Sequence, residues 1–191
     1  MCSVTITADG PATYDDLLKL PENVVGEIID GELYASPRPA PRHANAELAL
    51  ASELRTAYQR GRGGPGGWWI VIEPELHLES NVVVPDICGW VRERMPNLPE
   101  TAWFELLPDW VCEILSPSTG RIDRTKKLPI YARQNVSLAW LVDPIQKTVE
   151  VMKLSGGAWQ IVRVYGGEEQ MSAPPFDELT IDLRAVWGDT P

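Results

Sequence analysis

The run WVCEIL at residues 110–115 constrains the fold more than any other stretch, because only Glu113 in it is charged and an extended strand would leave neither face for water. Such a strand belongs inside a sheet covered on both sides, so the rest of the chain must supply the covering layers. Its lone acid is expensive to bury without a partner. A second run of the same kind, SLAWLVDP, ends at Pro144. Between the two, an SPSTG loop leads into a helical pattern capped by Asp123 or Thr119 and running to about Gln134. Leu128, Tyr131 and Ala132 form its apolar side, and Pro129 is expected to kink it.

Upstream, Ala44, Leu48, Ala51, Leu54 and Tyr58 recur at spacings of three and four, which predicts a long helix from Pro41 to about Arg60 with Gly61 beyond its end. After a GRGGPGG loop, WWIVIEPELHL and NVVVPDICGWV read as two strands of a hairpin turning at Glu79, Ser80 and Asn81. Residues 41–143 therefore run helix, strand, strand, strand, helix, strand, an α/β chain of the α+β type with one mixed sheet flanked by helices. Hairpins extend it at both ends: VVGEIIDGELYAS turns at Asp30 and Gly31 with Glu27 on its first arm, and TVEVMKL and AWQIVRVY turn through Ser155, Gly156 and Gly157. Thr13 and Asp16 form a capping box before a short helix, and FDELTIDLRAVW reads as an edge strand with a closing turn. At 191 residues this is one domain, able to bury roughly two thirds of its unfolded surface.

Charge narrows the function classes. The net charge of −10 argues against binding nucleic acid by bulk attraction, although Arg121, Arg124, Lys126, Lys127 and Arg133 could form a local positive rim. Cys2, Cys88 and Cys112 are odd in number, and the N-terminus lacks a basic start and long apolar run, which places the chain in a reducing cytoplasm. No stretch approaches the ~20 apolar residues of a membrane span.

Alternation puts Val84, Asp86 and Cys88 on one face of their strand, and Val111, Glu113 and Leu115 on one face of theirs. If those faces coincide, two carboxylates ~4 Å apart repel by about 4 kcal/mol at an effective dielectric near 20 and need a shared proton or a cation. A hard divalent ion is the natural remedy. Lys127, on the helix that leaves the Glu113 strand, can reach back over the strand end, and a lysine beside a metal points to phosphodiester hydrolysis.

The segments VVVPDICGW, PDWVCEILSPSTGRIDRTKKLPIYAR and LAWLVDP resemble the Uma-two family of restriction-endonuclease-like proteins, within the PD-(D/E)XK nuclease superfamily, and the resemblance covers roughly residues 13–188. It implies a restriction-endonuclease-like core and an endonuclease acting on DNA with Mg²⁺, or Mn²⁺ in its place. Asp86 and Glu113 would be the metal ligands, the backbone carbonyl of Ile114 a third, and Lys127 the catalytic lysine. Leu115 stands where the superfamily pattern has its lysine, which moves that role to the helix and leaves Lys126 as the competitor. The resemblance also implies Glu27 as an accessory acid, and a homodimer to which exposed-looking tryptophans such as Trp68, Trp90 and Trp103 could contribute.

Other polar residues keep open readings. His43 is read as pairing with Glu47 one turn on, with the site mouth as its alternative; His77 is read as a strand residue, and Glu75 as a minor candidate for the acid cluster. Structural zinc is disfavoured because Cys112 points away from Glu113 and the face of Cys88. Two functions compete with the nuclease: a catalytically silent binding module of the same fold, and a metal-dependent hydrolase of a smaller phosphate ester.

Overall fold

The computed structural model describes residues 4–6 and 10–189, so Cys2 lies outside the described residues. In chain order the elements are β1 (Val4–Ile6), α1 (Tyr14–Leu17), β2 (Val24–Ile29), β3 (Glu32–Pro37) and α2 (Pro41–Leu54), which continues as a π-helical turn, Arg55–Gln59. Four strands follow: β4 (Trp68–Ile72), β5 (Leu76–Leu78), β6 (Asn81–Val83) and β7 (Ile87–Val91). The central strand β8 (Trp110–Ile114) leads to α3 (Gly120–Ile122), a π-helical turn Asp123–Lys127 and α4 (Leu128–Arg133). The chain closes with β9 (Leu138–Asp143), β10 (Thr148–Ser155), β11 (Ala158–Gly166), β12 (Gln170–Met171), β13 (Ile181–Asp182) and α5 (Leu183–Trp187).

The large sheet has the order β11-β10-β9-β8-β7-β4, parallel only between β8 and β9. That parallel step is crossed by the α3–α4 helical segment. On one side, Trp110, Cys112 and Ile114 of β8 pack with Ala46, Leu50 and Leu54 of α2; on the other, Val111 packs with Leu128, Ile130 and Tyr131 of α4. Every residue of β8 is buried, as its composition demanded. A second sheet, β1-β3-β2-β6-β5, closes the α4 side, where Ile29, Leu76 and Val83 join the core that holds Tyr131.

The hairpin expected from residues 68–91 divides between the two sheets. β4 and β7 pair in the large sheet and β5 and β6 in the small one. Pro74 and Pro85 cannot donate to a ladder, and Glu73 takes a positive φ of 44°, so both strands break at the same level. Glu73 N–H still bonds the carbonyl of Asp86 across the break at 2.8 Å. This break sets Asp86 at the seam of the sheets, beside β2.

The remaining differences are local. On α2 the buried residues are His43, Ala46, Glu47, Leu50 and Leu54, whereas Ala44 is exposed and Leu48 is 68% exposed, so the inner face is rotated toward two polar residues. Thr119, not Asp123, precedes the later helical segment, and the π-helical turn Asp123–Lys127 accommodates Pro129, which has no N–H to give the preceding turn. The C-terminal stretch forms the short pair β12–β13 and then a helical turn, α5, capped by Asp182. Trp90 is fully buried, stacked on Phe104 and donating to the Leu106 carbonyl, and is unavailable for an interface; Trp68 and Trp103 are half-buried.

Candidate active site

β8 delivers Glu113 on the face away from α2, and the helical segment that follows the SPSTG loop passes directly over it. Lys127 Nζ lies 3.0 Å from both carboxylate oxygens of Glu113, and the Tyr131 hydroxyl, one turn on, donates to Glu113 Oε1 at 2.5 Å. The same ammonium is 3.0 Å from Glu27 Oε1 on β2, donates to the Val84 carbonyl at 3.0 Å, and is 3.9 Å from Asp123 Oδ1. Glu27 in turn accepts from the Val84 amide at 2.8 Å, tying the small sheet to the strand break. Lys127 is 3% exposed and Glu113 2%.

Asp86 reaches the cluster from the seam. Its Oδ2 accepts the Ile114 amide of β8 at 2.6 Å, and its Oδ1 lies 3.1 Å from His43 Nε2 on α2. One turn along α2, buried Glu47 leaves Oε1 without a hydrogen-bond partner, as His43 does Nδ1. A cavity of about 410 Å³ opens onto this arrangement, lined by Glu27, Glu73, Asp86, Glu113 and Asp123 with His43, Lys127 and Arg38. Five carboxylates thus face one lysine, one arginine and one histidine.

Electrostatics follow from that imbalance. Burial acts to lower the Lys127 pKa, yet Glu113, Glu27 and Asp123 outweigh it and hold the ammonium well above its ordinary range. Burial raises Glu113 well above the carboxylate range despite its lysine partner, because one ammonium is shared among several acids. Burial likewise lifts Asp123 to about 7, and burial with the charges of Asp86 and Glu73 lifts Glu47 to about 7. Burial lowers His43, but its bond to Asp86 more than compensates and raises it. With five carboxylates against one lysine, one arginine and one histidine, this is an acidic site with a deficit of positive charge.

Of the residues singled out from sequence, Asp86, Glu113, Lys127, Glu27 and His43 converge on the cavity. His43 faces the site mouth and bonds Asp86, in place of the expected pair with Glu47. Ile114 is adjacent, with its amide rather than its carbonyl engaged by Asp86. Glu75 does not join: it binds the Tyr14 hydroxyl at 2.9 Å and His77 at 2.8 Å, and Glu73, on the other side of Pro74, lines the cavity instead. Lys126 points outward, 3.9 Å from Asp30 and 4.0 Å from Glu32. Sequence reasoning missed Glu47, Glu73 and Asp123 as members of the acid cluster; the i, i+4 spacing of His43 and Glu47 was the available signal for the first.

The donor set fits a hard divalent ion. Among the described residues no three His, Cys, Asp or Glu side chains stand ready-grouped as metal ligands. Mg²⁺ does not require that, since it is held by one or two carboxylates with water and substrate phosphate completing the shell. Asp86 and Glu113 would hold it, and the excess of buried acids supplies the attraction. Zinc fits poorly: Cys112 packs on the α2 side and Cys88 on the α4 side, both with thiols raised by burial.

Comparison with known proteins agrees with this architecture. The profile of the Uma2 (Uma-two) family, described as "Putative restriction endonuclease", matches residues 12–184. No curated protein matches the chain. Among solved structures, a crystal structure of "a putative nuclease belonging to DUF820" from Anabaena variabilis ATCC 29413 superposes with a TM-score of 0.74 at 25% identity, covering 93% of this chain and 98% of that one. The mixed α+β fold is therefore of the restriction-endonuclease-like kind.

Proposed function

Since the chain belongs to the Uma2 family, we propose that it is a Mg²⁺-dependent endonuclease that hydrolyses DNA phosphodiester bonds, with Mn²⁺ able to replace Mg²⁺. The observation that carries this reading is the convergence of Asp86, from the break between β6 and β7, and Glu113, from β8, on one acidic cavity with the Lys127 ammonium 3.0 Å from Glu113.

Bound between those carboxylates, the divalent ion would supply water of lowered pKa and neutralise charge on the phosphoryl group. The chain's own residues do the rest. Ile114 N–H fixes the Asp86 carboxylate by one oxygen and leaves the other, now against His43, to turn into the cavity. Tyr131 and Lys127 together fix Glu113, the hydroxyl on Oε1 and the ammonium against both oxygens. Lys127, kept protonated by its acidic neighbours, acts as a cation that steadies developing charge on a phosphoryl oxygen rather than as a base. Glu27 anchors that ammonium to the small sheet. The reading includes a homodimer, which would pair two sites for two strands, and a cytoplasmic protein; no described helix is long and apolar enough to cross a membrane.

Nicking of supercoiled plasmid by wild type and Glu113→Gln, each with Mg²⁺ or Mn²⁺, tests the assignment. Wild type should nick and the variant should fall by a factor of at least ~10². Equal cleavage by both, or none by either across duplex and single-stranded substrates, refutes it. The acidic lining favours a second reading, hydrolysis of a smaller phosphate ester, which activity on small esters without DNA cleavage would establish.

A further inference from the structure

The cationic run of residues 121–133 does not form a free positive rim. Arg124 is paired with Glu150, Arg133 with Asp30, Lys126 lies near Asp30 and Glu32, and Lys127 is buried in the site. Of that run only Arg121 has no ion pair among the described residues. Further exposed arginines without an ion pair among the described residues lie on α2 and the loop beyond it.

Arg42 sits at the start of α2 beside the cavity, and Arg55, Arg60 and Arg62 cluster at its far end; all four are exposed. Main-chain bonds hold the three together: Arg60 N–H donates to the Arg55 carbonyl at 2.9 Å and Arg62 N–H to the Thr56 carbonyl at 3.0 Å. The loop is pressed onto the helix end, since a Cβ added at Gly64 would stand 2.7 Å from Ala57 Cβ and 2.9 Å from its carbonyl oxygen. None of the three forms an ion pair within 4.0 Å among the described residues, although Glu53, Asp177 and Glu178 are near in the chain or the fold. Three like charges carried on one short stretch of backbone repel one another, and an external anion relieves that repulsion. In a chain of net charge −10, leaving them unanswered calls for a polyanionic partner.

We propose that Arg55, Arg60 and Arg62 form a docking site for the sugar-phosphate backbone of duplex DNA at the end of α2 opposite the cavity. From Arg42 to Arg60 the helix axis spans about 27 Å, or about eight base pairs of duplex. Arg38, which lines the cavity, and Arg42 contact phosphates near the scissile bond, and the distal cluster grips the same duplex most of a turn away. The inference rests on the nuclease reading for the identity of the polyanion, and the test separates the two.

The test is fluorescence anisotropy of a labelled duplex without divalent metal, across a salt series, with wild type, an Arg55→Gln/Arg60→Gln/Arg62→Gln variant and a Lys126→Gln/Arg133→Gln control. Losing three phosphate contacts should lower the slope of log K against log salt by about 2.7, and the control should leave it unchanged. Wild type should also gain affinity steeply between duplexes of roughly 6 and roughly 12 base pairs, a readout that survives if the triple variant misfolds. An unchanged slope in a folded triple variant, no step with length, or equal competition by polyglutamate overturns the docking site. Duplex bound with the expected slope but never cleaved upholds the docking site and defeats the nuclease reading; cleavage with an unaltered salt slope in the triple variant does the reverse.

Discussion

Replacing Lys127 with methionine keeps most of the side chain's volume and removes its charge, leaving Glu113, Glu27 and Asp123 buried around an apolar stem. Each 3.0 Å contact, to Glu113 and to Glu27, corresponds to about 5.5 kcal/mol of attraction at an effective dielectric near 20, before the cost of burying the ions is subtracted. Breaking a buried pair by removing one partner destabilises by about 3–5 kcal/mol, and Lys127→Met should fall in that range at pH 7. The loss must shrink in acid. Without the ammonium the cluster's carboxyls hold protons to higher pH, so the folded variant binds more protons than its unfolded chain and gains stability as pH falls. The gain is about 1.4 kcal/mol per pH unit for each extra proton held. Urea unfolding followed by the buried Trp90, Trp110 and Trp140 measures this at pH 7 and 5.5. Adding Glu113→Gln should recover part of the loss, with a coupling of about 2 kcal/mol between the two changes. A loss under about 1 kcal/mol, or one equal at both pH values, would refute the view that the ammonium holds an acid cluster together.

The wild-type protein without metal should lose stability as pH rises from about 4 to about 7. Over that window Asp123 and Glu47, both lifted to about 7, keep protons that the unfolded chain has released, and His43, also raised, acts in the same direction at the upper end. Denaturant midpoints that rise with pH there would contradict it. Tyr131→Phe should cost about 1–3 kcal/mol, since it removes a donor from a buried carboxylate, and should weaken Mn²⁺ binding in calorimetry by freeing Glu113 to rotate; unaltered stability and affinity would show that Tyr131 does not position Glu113.

Much of the site was legible because its parts obey local rules. Period-two alternation placed Glu113 on one face of β8, and the short SPSTG loop brought Lys127 back over it, whereas Asp86 lies in the break between β6 and β7 and not on the continuous strand expected for it. The break between the sheets was not legible: Pro74 and Pro85 each look like single blemishes in a strand, and their effect depends on β2, more than fifty residues away, taking up β6. His43 and Glu47 were misjudged for the opposite reason. An amphipathic pattern assumes that the inner face is the apolar one, and here α2 turns two polar side chains inward because the acidic seam lies beneath them. The basic run misled too, since its partners Asp30, Glu32 and Glu150 are near only after folding.

Crystals soaked in Mn²⁺ and measured at the manganese absorption edge test the central claim most directly. An anomalous peak about 2.1 Å from carboxylate oxygens of both Asp86 and Glu113, absent from Glu113→Gln crystals, is the predicted result. No peak in the cavity, or one that leaves Glu113 bound only to Lys127 and Tyr131, would contradict it.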